Sequence, residues 1–318
     1  MLGSLIFGGT TMSDTVGGRK TLRDVAKDWF MATRPWSFAL SLVSVGVGTL
    51  VAAETGPILW GWFGLACLGI ICFHGTANVL NDYFDTHYHV DQSDSPTAKY
   101  RPHPLLSGAF TPRQLLVEGA VLMSATIVIG LVLSFVRSSL VFWIGLTGFL
   151  ASVFYTAGPV KYKYRGFGEV FVFLMWGPFM VEGAYAVQRQ ALSGKALLIS
   201  IPLGVLVAMV LMANNIRDIA YDSRQSIKTI SSMLGRDRAI RLFAAFILVS
   251  YALVVGMVVF GVVSPWALLV LLSLPKAIRL VRTFMRQVPD GADADTGQLN
   301  TAFGVLFIAA LIIQIAVR

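Results

Sequence analysis

Apolar residues in this chain come in long unbroken runs. Nine can be marked, near residues 36–53, 58–79, 114–135, 139–157, 168–187, 196–215, 240–261, 264–282 and 298–317. Each approaches the roughly 20 apolar residues that carry a helix across a bilayer. Only the fifth holds a charge at its centre, Glu182. Continuous runs exclude a membrane β-barrel, whose strands alternate over about ten residues. The pattern predicts an all-α polytopic membrane protein, with an N-terminal segment over 1–35 and a nine-helix domain over 36–318. A different pattern precedes the runs. Leu22, Val25, Ala26, Trp29 and Phe30 share one helical face over 20–32, while Arg23, Lys27 and Asp28 point elsewhere. That predicts an amphipathic helix lying in the membrane interface; a lid over a site is the other reading. Residues 1–12 have no basic start and no cleavage signature, so no signal peptide is predicted.

Composition agrees with the pattern. Of 318 residues, 56% are hydrophobic and 13% charged, and the mean hydropathy is +0.71. A soluble domain has about a quarter of its residues charged. The balance excludes a soluble enzyme, a disordered tail and a nucleic-acid-binding domain. Cys67 and Cys72 both fall in an apolar run, which predicts neither a disulfide framework nor a zinc set. The net charge of +8 says less than its placement. With the N-terminus in the cytoplasm, 21 of the 25 basic residues fall on the cytoplasmic side, and only Arg137, Arg189, Lys195 and Arg318 on the other. The positive-inside rule then fixes the orientation in the cell membrane and favours an odd number of spans.

The acids are as unevenly placed. One segment runs Asn78-Val-Leu-Asn81-Asp82-Tyr-Phe-Asp85-Thr-His87-Tyr-His89-Val-Asp91, with Asp94 beyond; another runs Asn214-Asn215-Ile-Arg217-Asp218-Ile-Ala-Tyr221-Asp222. They follow the second and sixth spans. Four spans lie between, so both emerge on one face of the membrane. Asn78, Asp82 and Asp85 are spaced i, i+4, i+7, and Asn215, Asp218 and Asp222 i, i+3, i+7, so each triad shares a helix face. Clustered carboxylates repel, by about 4 kcal/mol for a pair ~4 Å apart at an effective dielectric near 20. Carboxylate and amide oxygens together are the ligands of a hard divalent cation such as magnesium, which completes its shell with water and substrate phosphates. Two solvated acidic loops would be the bland alternative, weakened by an Asn beside the acids in both. His87 and His89 are two apart and face opposite sides of a helix; His74 reads as a polar residue satisfied between helices, and His103 lies in a Pro-rich loop. Lys99, Arg101, Lys161, Lys163, Arg217 and Lys228 flank the acids. Besides snorkelling at the interface, they suit a diphosphate, which needs cations and fixed donors. Glu118 in span three and Glu182 in span five are ionisable groups at membrane depth, functional candidates by default or paired structural residues.

These residues resemble the UbiA superfamily of intramembrane prenyltransferases. The resemblance rests on Arg34-Pro35 before the first span, the two Asn/Asp motifs after spans two and six, and Gly166-Phe167-Gly168-Glu169 leading into Val170-Phe171-Val172-Phe173. Among its branches the chain is most similar to the one that prenylates 1,4-dihydroxy-2-naphthoate in menaquinone synthesis. It departs there at His89, at Ser226-Ile227 and in Arg101-Pro102-His-Pro-Leu-Leu-Ser107-Gly108. The resemblance implies a helix bundle around a central cavity opening near the cytoplasmic face. It implies a polyprenyl diphosphate donor, an aromatic acceptor and two Mg2+ ions held by Asn78, Asp82, Asp85, Asp91, Asn215, Asp218 and Asp222. Asp82, Asp85, Asp218 and Asp222 would be the catalytic carboxylates. Asn78, Asn215, Arg34, Arg101, Lys161 and Arg217 would hold the diphosphate, and Tyr155 or Phe84 would face the allylic cation. Glu118 and Glu182 are expected at the acceptor pocket or as structural residues. Other acceptors remain open: 4-hydroxybenzoate, homogentisate, haem, chlorophyllide and geranylgeranylglyceryl phosphate. A divalent-cation transporter is the reading from a different class, but transporter sites lie near the midplane.

Overall fold

The computed structural model describes residues 21–156 and 161–317; the expectations made for residues 1–20 lie outside it. Among the described residues there is no strand, only an isolated bridge between Arg165 and Lys228. Helix α1 (Leu22–Ala32) is opened by a capping box in which Thr21 and Asp24 each satisfy the other's backbone N–H. Its Leu22, Phe30 and Met31 are exposed, and Trp29 stands edge-on to Phe110. Arg34 then takes a left-handed conformation, φ 55° and ψ 59°, and Pro35 starts the tight turn into α2.

The bundle consists of α2 (Phe38–Ala53), α3 (Trp60–His87), α4 (Pro112–Val136), α5 (Ser139–Thr156), α6 (Gly168–Arg189), α7 (Gly194–Arg217), α8 (Arg236–Val259), α9 (Leu274–Arg286) and α10 (Ala292–Ala316). Seven of the described helices (α2 with its leading turn, α3, α4, α6, α7, α8 and α10) are long and apolar enough to cross a membrane; α5 is shorter. The eighth apolar run does not fold as one helix. Pro265–Ser273 forms a 3-10 segment, and α9 follows from Leu274, with Pro275 in its first turn. The cause is visible in the residues. Only the first half is continuously apolar, and Lys276, Arg279, Arg282 and Arg286 then recur at helical spacing, which makes α9 amphipathic.

Helices α2 and α7 are the innermost. Their small residues allow it: Gly177 on α6 faces Gly204 on α7, where a Cβ on Gly177 would stand 3.0 Å from the Gly204 Cα. Around them Leu203, Leu206, Met212, Phe243, Ile247, Phe303 and Phe307 form the main core. Midway along α6 a π-turn at Met175–Phe179, with Pro178 inside it, breaks the regular ladder. At the end of the bundle away from the acids, polar side chains tie the helix ends. Glu54 accepts Lys195 Nζ at 2.7 and 2.8 Å and Gln314 Nε2 at 2.6 Å. Arg189 donates to the carbonyls of Ala52 and Pro57. The Ala52 carbonyl, at the C-terminal end of α2, would otherwise be left unpaired.

Candidate active site

Helix α3 runs two turns past its predicted end and keeps Asn78, Asp82 and Asp85 on one helix, as their spacing required. The second motif bends instead. Helix α7 stops at Arg217, Asp218 sits at the break (φ −92°, ψ 4°), and the short helix Ile219–Arg224 carries Asp222. The Asp222 N–H still donates to the Asp218 carbonyl at 2.8 Å, so the two carboxylates stay one turn apart. The motifs meet directly. Tyr221 Oη donates to the Val90 carbonyl at 2.9 Å, and Arg217 reaches Thr97 Oγ1 at 3.2 Å. Asn78, Asp85 and Asp91 from the first motif and Asn215, Asp218 and Asp222 from the second line one cavity of about 1690 Å³. Away from the acids its walls are apolar, from Phe73, Phe149, Phe171 and Phe179 among others.

Asp82 lies behind this wall, fully buried. Arg34 Nη2 and Arg101 Nη2 both donate to its Oδ1, the second at 2.8 Å. Burial would favour a neutral Arg34, but Asp82 outweighs it and holds the guanidinium charged. Asp85 is gripped by Lys163 Nζ at 2.6 Å, by Asn81 Nδ2 at 2.9 Å and by the Tyr164 hydroxyl. Burial opposes the Lys163 charge, and Asp85 more than restores it, so its pKa is raised. Arg217 covers both oxygens of Asp218 at 2.7 and 2.9 Å. Asp222 is different. It is buried, and among the described residues no side chain or backbone group donates to its carboxylate. Burial first, and the Asp218 charge second, push its pKa up to about 7.

The donor set fits a hard cation. Asn78 Nδ2 donates to the Thr33 carbonyl at 2.9 Å and to Ser37 Oγ at 3.1 Å. Asn215 Nδ2 donates to Glu169 Oε1 at 2.9 Å. A backbone carbonyl only accepts, which fixes the first amide; a carboxylate fixes the second. Both amides therefore keep their carbonyl oxygens, which have no partner among the described residues. Two amide oxygens and the unpartnered Asp222 form an all-oxygen set suited to magnesium. His103 also enters, 3.4 Å from Asp91 and 3.6 Å from Asp82, and these three form the one cluster of metal-ligating side chains found among the described residues. Its Nδ1 accepts the N–H groups of Leu105 and Leu106. The proton of the neutral ring is thus on Nε2, which faces both carboxylates without a hydrogen bond to either and has no lone pair for a cation, so His103 is not a ligand in this form.

The other sequence candidates fall as follows. Tyr155 lines the cavity, with the Lys163 ammonium 5.6 Å from its ring centroid. Phe84, Arg34 and Arg101 also line it. Lys161 does not: it sits over the Tyr88 ring at 3.3 Å. Arg217 is spent on Asp218, Asn214 and the Asp290 carbonyl. Glu118 and Glu182 are not part of the cavity wall. Glu182 accepts the Ser193 N–H at 3.0 Å and so caps α7; Glu118 is buried in α4. The sequence placed Lys163 among the cations suited to a diphosphate, where the structure pairs it with Asp85, and it gave Tyr164, His103 and Glu169 no part in the site. Proximity to the motifs was their only signal.

A helix bundle that brings two Asn/Asp ledges, buried cations and an apolar chamber together is built for a substrate with a charged head and a long apolar body. The comparisons name the class. The UbiA prenyltransferase family model matches residues 40–313. The 1,4-dihydroxy-2-naphthoate octaprenyltransferase of Bacillus subtilis (strain 168) is 31% identical over 289 residues, 89% of this chain and 91% of that protein. The UbiA prenyltransferase domain-containing protein 1 of Mus musculus is 27% identical over 301 residues, 92% and 86% of the two chains. Among solved structures, a UbiA homolog from Aeropyrum pernix K1 superposes with a TM-score of 0.68 at 18% identity, over 87% of this chain and 97% of that one. One from Archaeoglobus fulgidus, bound to GPP and Mg2+, gives 0.64 at 15% identity, over 91% and 99%. The chain belongs to the UbiA prenyltransferase family, and it is a prenyltransferase enzyme of the membrane.

Proposed function

We propose that this enzyme transfers the isoprenoid chain of an allylic polyprenyl diphosphate to an aromatic acceptor, 1,4-dihydroxy-2-naphthoate, in menaquinone synthesis, with two Mg2+ ions. The observation that carries the reading is the convergence of both Asn/Asp motifs on one cavity whose remaining walls are apolar. Asn78, Asp85, Asp91, Asn215, Asp218 and Asp222 would hold the ions. When bound, magnesium supplies charge neutralisation to the departing diphosphate. Arg34 and Arg101, with their guanidinium groups on Asp82, would supply positive charge and N–H donors to the diphosphate oxygens. Lys163 and Tyr164 orient Asp85. The apolar walls exclude water, which would otherwise quench an allylic cation, and the Tyr155 face lines the space where that cation forms. The name of the Bacillus subtilis relative, 31% identical, supports that acceptor. The Asp-lined mouth is assigned to the cytoplasmic face of the cell membrane, with the N-terminus on that side, from the segregation of basic residues. Nine membrane segments over 36–318 form the catalytic domain, with α1 in the interface.

The test uses membranes containing the protein, a labelled polyprenyl diphosphate and each acceptor in turn. Label should pass to dihydroxynaphthoate, stop in EDTA and return with added Mg2+. Full turnover in EDTA would overturn the metal assignment, and transfer to 4-hydroxybenzoate or homogentisate alone would replace the acceptor.

A further inference from the structure

His74 lies on α3, one turn before Asn78, buried and on the cavity wall. Both ring nitrogens are engaged. Nδ1 is 2.8 Å from Ser41 Oγ and Nε2 is 3.1 Å from Ser37 Oγ. Geometry alone leaves the proton on either nitrogen. Trp176 settles it. Its indole N–H, which can only donate, gives its proton to Ser41 Oγ at 3.0 Å. Ser41 then turns its own proton to His74 Nδ1, the acceptor within reach. The neutral ring must carry hydrogen on Nε2 and donate to Ser37 Oγ. Ser37, receiving from His74 and from Asn78 Nδ2, sends its proton to the Arg34 carbonyl at 2.8 Å. The chain Trp176, Ser41, His74, Ser37, Arg34 thus has one direction. It starts in the π-turn of α6 and crosses α3 and α2.

What it ends on matters. Arg34 holds a left-handed backbone, which is strained for a non-glycine residue and persists only where surroundings over-determine it. That backbone is what aims the Arg34 guanidinium at Asp82. The same Ser37 oxygen accepts from Asn78 and so keeps the Asn78 carbonyl oxygen turned away from it, toward the cavity.

We propose that His74 is a positioning residue of the diphosphate site: as the Nε2–H tautomer it forces the Ser37 proton onto the Arg34 carbonyl, and through Ser37 it sets both Arg34 and Asn78. It has no lone pair or proton left over for substrate, so it acts neither as acid nor as base. The proposal rests on the reading of Arg34 and Asn78 as diphosphate-site groups. Without His74 as a donor, Ser37 is free to rotate and both groups lose their fixed orientation before substrate arrives. The ligand affected is the prenyl diphosphate, not the aromatic acceptor.

Two isosteric variants separate this from simple space filling. The amide nitrogen of Gln reproduces Nε2–H, whereas the side chain of Asn reaches only the Nδ1 position. In the purified full-length protein, H74Q should keep its KM for prenyl diphosphate within about threefold, and H74N should raise it about tenfold, the worth of one ordinary hydrogen bond, with kcat and the acceptor KM little changed. Equal KM values for the two variants would overturn the proposal. A second measurement needs no variant to fold. The ¹⁵N resonances of the His74 ring in the wild type should report the Nε2–H tautomer; a ring protonated at Nδ1 overturns the proposal outright. Arg34→Ala guards the underlying reading. If that variant leaves the diphosphate KM unchanged, Arg34 is not a diphosphate group, while the tautomer still decides the direction of the chain.

Discussion

Asp222→Asn abolishes prenyl transfer, by about a thousandfold or more, and leaves the melting temperature where it was or slightly higher. The two halves of this result have one cause. Asp222 is buried and has no donor among the described residues. An isolated carboxylate in that position lowers stability rather than adding to it, and Asn keeps its volume. Nothing in the apoprotein is broken by the change. What is lost is an anionic oxygen for the cation that neutralises the leaving group, a contribution of several kcal/mol, with each ~1.4 kcal/mol a factor of ten in rate. Turnover with saturating Mg2+ and a melting curve in the same detergent check both halves. Near-wild-type turnover would reject Asp222 as a ligand, and a fall of many degrees would make it structural. Asp82→Asn is the contrast. It strands Arg34 and Arg101, two half-buried guanidinium groups, so activity and stability fall together.

Gly48→Ala is expected to unseat α2 from α6. A Cβ on Gly48 would lie 2.2 Å from the Val181 carbonyl oxygen and 2.9 Å from the Ala184 Cβ. Both are fixed to the α6 backbone, so no side chain can swing aside. The cost belongs at the top of the ~1–3 kcal/mol usual for overpacking, or above it. Because α2 carries Ser41 and follows directly on Arg34, the site should suffer with the fold. The control is Gly46→Ala, two residues away, where the added methyl meets only the tip of Ile308 at 3.2 Å. Melting in detergent should separate the two by many degrees. Equal curves would reject a close approach of α2 and α6 at Gly48.

The runs of apolar residues carried most of the architecture into view, because a bilayer-crossing helix must satisfy its backbone internally and show carbon around nearly its whole circumference. The eighth run shows the limit. Hydropathy averages over a window, and the arginines of α9 fall just beyond an apolar half, so the split after Ser273 is invisible to it. The two Asn/Asp ledges were legible because helical spacing and even span counting are short-range arithmetic. Their partners were not. Lys161 and Lys163 look equivalent in the chain, yet Lys161 takes a left-handed conformation, φ 44°, and the following turn sends Lys163 inward to Asp85. His103 sits between two prolines, where no periodicity says which way a ring points. Glu182 looked functional because it is a charge in an apolar run. Its place near the far end of α6, capping α7, depends on a tertiary neighbour that no local pattern encodes.

The chamber holds about 1690 Å³, well beyond the ~300–1,000 Å³ of a pocket for one drug-sized molecule. A volume of that size admits donor and acceptor side by side. Initial-rate lines at several fixed concentrations of one partner should then intersect rather than run parallel, and no prenylated form of the protein itself should build up between turnovers.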